Sequence, residues 1–469
     1  MTRRTMRHVV LGLLWLGCGL GPASGAELDA AEPLDLTTAV GLALAQHPLA
    51  AGASADVAAA DASRRQSTAR LLPQIGLRES WARSDDPVFA FGALLEQGRF
   101  TEADFDVAKL NDPAALDHFR TKIALEQPIF SLPAWYDRSA AGAVSDAATA
   151  AETAVREGLA LRVVESYVGL LLARDAVAVA EEAERAAAGD LRRARALVSA
   201  GTTLEADSLQ ADVHHRGTLQ ALETARGDAR IAELALASLV GGGDVVGPLT
   251  SLPPSLDERA RRQLGAGELE AALARRADLM ALRHQREAAE AGASGARAAL
   301  WPSIGLVASE QWDREQFGVD GEASYAVGVA LDWNFLAGGG DLARVDAADA
   351  ASAGARARLE ARERQARLEI GTRDAQLATA SGRAATAVGA ASLANEAKRV
   401  IERRYEQGLA TWTELVSAES AHSNARLGEL TARYEVWLAW ARREQALGRL
   451  QDSLVQVATI AADGRKEEP

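Results

Sequence analysis

The chain has 469 residues and a formal net charge of −14, which excludes nucleic acid as a partner, because phosphate binding needs a basic surface. Aromatic residues make up 5% and charged residues 25% of it. Too few bulky side chains remain for a thick globular core, and long helices packed through small residues are expected instead.

The N-terminus carries Arg3, Arg4 and Arg7, then the apolar run Val9 to Leu20, then small residues around Ala26. Basic, then apolar, then small is a secretory signal layout, placed here at 1–26. The apolar run is too short to span a bilayer. Cys18 is the only cysteine, and its context LWLGCG matches a lipoprotein box imperfectly, with Trp15 at a usually aliphatic position. If the signal is cleaved, the exported chain has no thiol and relies on packing or assembly for stability.

Downstream, "VGLALAQHPLAAGASADVAAADASRRQSTARLLP" predicts a helix, and "PQIGLRESW" a strand. At period two, Ile75, Leu77 and Trp81 fall on one face and Gly76, Arg78 and Ser80 on the other. A second strand in "HFRTKIALEQPIF" sets Phe119, Ile123 and Leu125 against Arg120, Lys122 and Glu126. No proline interrupts the chain from Pro133 to Pro248. A helix from Pro133 to Gly201 would span roughly 100 Å at about 1.5 Å per residue. Gly201 reads as its C-cap, followed by threonines, an acid and a return helix.

The second half repeats this order. "LEAALARRADLMALRHQREAAEAGASGARAALWP" opens it, and "PSIGLVASEQW" places Ile304, Leu306, Ala308 and Trp312 opposite Gly305, Ser309 and Gln311. "ASYAVGVALDWNF" places Tyr325, Val327, Val329, Leu331 and Trp333 opposite Ser324, Gly328, Ala330 and Asp332. A second proline-free stretch turns at Gly408, and Leu427, Leu430, Tyr434, Trp437 and Ala441 form one stripe of its return helix. The chain is therefore a duplication: a first repeat at 27–250, a second at 251–450, and a C-terminal tail at 451–469. The loop between the strands is longer in the first half, around "PVFAFGALLEQGRFTEADFDVAKLNDP".

Strands of about ten residues, with one apolar face and aromatics near the ends, have the pattern of transmembrane β-strands. Four are too few to close a barrel, and an open edge in lipid is costly. At least two chains must share one barrel, and closure alone does not choose two over three. Trp81, Trp312 and Trp333 are the expected interfacial aromatics.

The repeated "ARLLPQIGL" and "ARAALWPSIGL", with "ALEQPIF", "ALDWNFLAGGG" and "RRYEQGLATWTELVSAE", resemble the outer membrane efflux proteins, the TolC-like channels, from about Leu34 to Leu450. The resemblance implies a mostly α-helical homotrimer whose protomers give four strands each to a shared twelve-stranded β-barrel. Long helical hairpins would form a periplasmic tunnel narrowing at its tip. It further implies an exit duct in the outer membrane for a tripartite pump exporting small molecules or metal ions, with a periplasmic adaptor and an inner-membrane transporter as partners. On this resemblance, Gly201, Thr202, Thr203, Gly408, Leu409 and Thr411 would meet the adaptor. Asp207 and Glu414 would ring the constriction, where carboxylates attract cations. The chain departs from the family pattern at Ser417, where some members carry a second acid, and at Asn334, where a proline is frequent; Pro128 keeps that proline in the first half.

Other features read more plainly. Gly338, Gly339 and Gly340 form a strand-to-helix turn without a P-loop lysine. His214 and His215 are adjacent on a helix, diverge, and are expected on a solvated face rather than at a metal. Arg403 and Arg404 are expected in weak ion pairs. No zinc motif, GxSxG elbow, cysteine nucleophile or Walker lysine occurs, so no catalysis, metal or cofactor is expected. The alternatives are a type I protein secretion duct and, from another class, a periplasmic coiled-coil adaptor.

Overall fold

The computed structural model describes residues 33–456 apart from 242–246, 253–255, 257–261 and 263. The expected signal peptide at 1–26, Cys18 and residues 457–469 of the tail lie outside the described residues.

The first repeat opens with two helices where the sequence pattern suggested one: α1 (Leu36–Gln46) and α2 (Pro48–Ala69). Asp35 caps α1 by accepting from the Thr38 N–H. The break follows from Pro48, which has no N–H to continue α1 but suits the first position of α2, where His47 becomes the N-cap. Strand β1 (Gln74–Ser84) follows, then a compact insert of α3 (Pro87–Glu96), a 3-10 turn (Glu102–Phe105) and α4 (Val107–Asn111), then β2 (Leu116–Phe130). The long helices α5 (Leu132–Ser199) and α6 (Glu205–Val240) complete the half.

The second repeat has α7 (Ala266–Arg275), α8 (Ala277–Ala298), β3 (Ser303–Arg314), β4 (Glu322–Asp332), α9 (Gly340–Glu406) and α10 (Trp412–Ala446). Its opening helix is also broken, at Arg276. That side chain is 4% exposed and bonds to Asp278, Glu369 and the Ala446 carbonyl, joining α8, α9 and the end of α10. Burial alone would raise the Asp278 pKa, but Arg276 and Arg362 hold it below the usual carboxylate range.

The main core lies where α1, α5, α6 and α10 cross. Leu159, Val163, Val164, Tyr167 and Val168 of α5 meet Leu236 and Val240 of α6 and Tyr434, Trp437 and Trp440 of α10. The Tyr167 hydroxyl donates to the carbonyls of Leu34 (2.9 Å) and Thr250 (2.7 Å), tying the entry to the first repeat to its exit. The tail's first residues, 451–456, are helical, and Leu454 joins this core. Of the α10 stripe, Leu430, Tyr434, Trp437 and Ala441 are buried, whereas Leu427 is exposed because it lies tipward of the crossing.

The strands form one antiparallel sheet in the order β1-β2-β3-β4. A bulge interrupts the β2–β3 ladder between Pro128 and Phe130, as expected where proline removes a donor. No described helix is long and apolar enough to cross a membrane.

Candidate functional site

The sheet's register brings together the faces read from the sequence. Ile75 pairs Leu125, Leu77 pairs Ile123, and Trp81 pairs Phe119. Leu125 pairs Ala308 and Thr121 pairs Trp312, while Ile304, Leu306 and Ala308 pair Leu331, Val329 and Val327. Directly opposed residues share a face, so one side of the sheet is mainly apolar, broken toward the end remote from the long helices by Glu79, Thr121, Glu310 and Arg314, where Arg314 pairs with Glu79 at 3.0 Å. The other carries Arg78, Ser80, Arg120, Lys122, Ser309, Gln311 and Asp313. The apolar face is bare in the single chain, Ile75 being 75% and Val327 68% exposed. Within the described chain β1 and β4 each have one neighbour, so both outer edges lack a ladder.

The three tryptophans lie at opposite ends of this face. Trp81 donates to Asp117 Oδ1 (3.0 Å) and stacks obliquely on Phe119; half-buried Trp312 sits at the same end, opposite Ala323. Trp333, just past β4, donates to the Leu300 carbonyl (3.1 Å) and meets Phe335 edge to face at the end where the long helices start. There Gly338 and Gly339 both have positive φ (61° and 82°), and Gly339 caps α9, so the triple glycine is a strand-to-helix turn.

At the far end of the long helices the two hairpin tips share one geometry. Gly201 and Gly408 have φ of 71° and 72°, the left-handed conformation that ends helices. In the first tip the Thr202 N–H returns to the Leu197 carbonyl (3.0 Å); in the second the Leu409 N–H returns to the Arg404 carbonyl (2.7 Å). Glycine is required because this turn closes only at positive φ. Both tips are exposed, with Leu204 73% and Leu409 63% accessible.

Each candidate constriction acid sits in the first turn of its return helix and bonds to a tip threonine. Thr203 donates to Asp207 through its hydroxyl. Thr411 and Glu414 form a reciprocal capping box. That cap, chiefly the Thr411 N–H, holds the Glu414 pKa below the usual carboxylate range. Arg403 and Arg404, expected in ion pairs, instead donate to backbone carbonyls, Arg404 to Leu409 across the tip.

Just behind the tips the hairpins are joined by Leu191, Ala194, Ala211, Trp412 and Leu415. Next to this plug lies a polar cluster that the sequence did not reveal. Asp190 of α5 and Glu419 of α10 are both buried, with His214 of α6 3.7 Å from Glu419 and Lys398 of α9 adding its positive charge. Burial, and then Glu419, push the Asp190 carboxyl up to about 7. His214 and His215 do diverge, but neither is simply solvated: His215 lies 3.0 Å from Glu184 of α5. No sequence signal marks such a cluster, because its members come from four helices.

The profile of the outer membrane efflux protein family matches residues 39–242 and 269–449. The fold is similar to a membrane protein from Pseudomonas aeruginosa, at 20% identity and a TM-score of 0.77 over 88% of this chain and 93% of that one. It is likewise similar to the outer membrane protein VceC from Vibrio cholerae, at 20% identity and a TM-score of 0.74 over 88% and 96%. A third similar structure is the Campylobacter jejuni CmeC outer membrane channel, at 16% identity and a TM-score of 0.73 over 90% and 88%. No curated protein matches the chain in sequence.

Proposed function

Because the chain belongs to the outer membrane efflux protein family, and so is an outer membrane exit duct of an efflux pump with a periplasmic helical extension, we propose a mechanism for its gate and its assembly. The observation that carries it is the matched pair of tips, each a glycine-capped turn followed by a first-turn acid. Asp207 and Glu414, repeated by threefold symmetry, ring the periplasmic entrance and favour cations over anions. Opening is iris-like: the α5–α6 and α9–α10 hairpins shift against each other at the plug where Ala194 and Ala211 meet Trp412. The exposed tip residues Gly201, Thr202, Thr203, Gly408, Leu409 and Thr411 receive a periplasmic adaptor that couples the duct to an inner-membrane transporter. The cargo is small molecules or metal ions, and the duct itself is passive and performs no catalysis. The structural repeats divide at about residue 250.

Two features support a barrel shared between chains, which the family makes a homotrimer. The bare edges of β1 and β4 are of equal length, 11 residues each, so successive chains can join edge to edge until the barrel closes. In addition, α8 lies between α5 and α9, whereas its counterpart α2 has only α5 as a long-helix neighbour. The repeat predicts α9 of the next chain on the vacant side of α2.

Trp81, Trp312 and Trp333 suit two membrane interfaces. Ten residues of strand between the Trp312 and Trp333 levels, at about 3.4 Å each and tilted about 40°, rise roughly 26 Å, matching an apolar band of about 25 Å.

In planar bilayers, the paired substitutions Asp207→Ala and Glu414→Ala should raise conductance and reduce cation preference. Unchanged conductance and selectivity would remove both acids from the gate.

A further inference from the structure

We propose that the insert Pro87–Asn111 is a lid on the extracellular mouth of the barrel, built by three copies together and latched to the lumen wall by Arg120. This makes a second gate, at the opposite end of the duct from the acidic tips.

The insert is a formed unit. Asp86 caps α3 through the Phe89 N–H (2.9 Å), and Asp106 caps α4 through the Ala108 N–H (2.9 Å). Phe100 packs edge to face on both Phe91 and Phe105, each at 5.0 Å, holding α3 to the turn that follows.

Its seat is the polar side of the sheet at the end remote from the long helices. With the apolar side toward lipid, this polar side lines the lumen. Arg120 of β2 bonds Asp313 of β3 through Nε (2.6 Å) and Glu96 of α3 through Nη2. Asp313 is 1% exposed, and Gln311 donates to its other carboxylate oxygen at 3.0 Å. Gln97 extends the seat by donating to the carbonyls of Asp117 (2.9 Å) and Arg314 (3.3 Å). Phe89 meets the His118 ring edge to face at 5.9 Å. At Gly98, where φ is +64°, an added Cβ would come within 2.7 Å of Glu322 Cγ, so the insert also lies tight against β4.

Glu96, His118 and Asp313 offer three ligand atoms within 4.8 Å of one another, a spacing a divalent ion could use. One observation favours a latch instead. Arg120 already engages the same two carboxylate oxygens.

Dimensions make closure feasible. Twelve strands, four from each of three chains, spaced about 4.8 Å and tilted about 40°, close to a cylinder roughly 24 Å across. Three helices of about 10 Å diameter, side by side, fill a circle of roughly 22 Å. Val88, Phe105 and Val107 remain exposed on the single insert, and the neighbouring inserts, brought in by the same β1–β4 edges, are the partners that cover them.

The test uses the full chain in intact cells. Ser309 lies on the lumen side, paired with Ala124. A Ser309→Cys variant is labelled from outside with a small impermeant maleimide and with a bulky maleimide–polyethylene glycol. Cys18 is the only native cysteine, so the parent chain gives the background. The same label is read in Arg120→Gln and in a chain whose residues 87–111 are replaced by a short glycine–serine linker, each checked as a trimer. The small reagent should label all three alike. The bulky one should react about tenfold faster in both altered chains, the shift in opening expected for losing a charge-assisted hydrogen bond. Equal bulky labelling in all three overturns the lid. Acceleration only with the linker overturns the Arg120 latch. No small-reagent labelling in any background overturns the lumen assignment itself, and with it the lid, whatever the tips do.

Discussion

Thr411 and Glu414 cap one another: the Thr411 N–H and hydroxyl donate to Glu414 Oε2 at 2.7 and 2.9 Å, and the Glu414 N–H returns to the Thr411 hydroxyl at 3.3 Å. One carboxylate thus serves as helix cap and candidate constriction charge. The two roles separate by substitution. Glu414→Gln keeps a side-chain acceptor for the cap and removes the charge, so it should lower cation preference in bilayers while leaving thermal stability nearly intact. Thr411→Ala should do the reverse. If Glu414→Gln leaves selectivity unchanged, the residue is a cap alone.

Asp190 and Glu419 share a buried site joining the α5–α6 and α9–α10 hairpins. Glu419 is held low, chiefly by His214 and Asp190 against its own burial, and Asp190 is pushed up to about 7 by burial and by Glu419. A folded pKa raised above the ordinary value of 3.8 means stability that is full at low pH and lost as pH rises through about 7. The tips should therefore resist limited proteolysis better at pH 6 than at pH 8, and Asp190→Asn should abolish the difference. An undiminished difference in that variant would assign it to other groups.

The two faces of β4 should respond oppositely to a charge. Val327→Arg puts a guanidinium at mid-strand on the apolar side, at a cost of about 2–4 kcal/mol in lipid, and should sharply reduce the yield of assembled protein in the membrane. Ala326→Arg, one residue away on the lumen side, should assemble normally. Equal yields would mean that the sheet does not face lipid.

Tyr167→Phe leaves the Thr250 carbonyl without this donor, while the Leu34 carbonyl keeps the Thr250 N–H (3.0 Å). Stranding one acceptor costs about 1–3 kcal/mol, which should lower the Tm of the detergent-solubilised protein. Trp437→Ala, at 2% exposure, should cost more, about 3–5 kcal/mol. A Tyr167→Phe protein as stable as its parent would place the Thr250 carbonyl in reach of water.

The strands and tips were legible in the sequence because both are local. Period-two alternation fixed which of Ile75, Leu77, Val327 and Val329 share a face, and the register aligned them. Gly201 and Gly408 marked the turns because positive φ leaves little choice of residue. The α3 insert was read only as an excess loop, although Asp86 before Pro87 is a cap-and-proline start signal. The Arg120–Asp313 bond and the Asp190–Glu419 pair were not legible at all. Each joins residues distant in sequence, and nothing in the neighbourhood of one names the other.

The central claim is that three chains complete one barrel at the end of a helical tube. Light scattering on the detergent-extracted protein, with negative-stain imaging of the same sample, tests it most directly. The account predicts the mass of three chains and an elongated particle with a threefold axis and a barrel at one end. A single chain, or a rod with no barrel end, would contradict it.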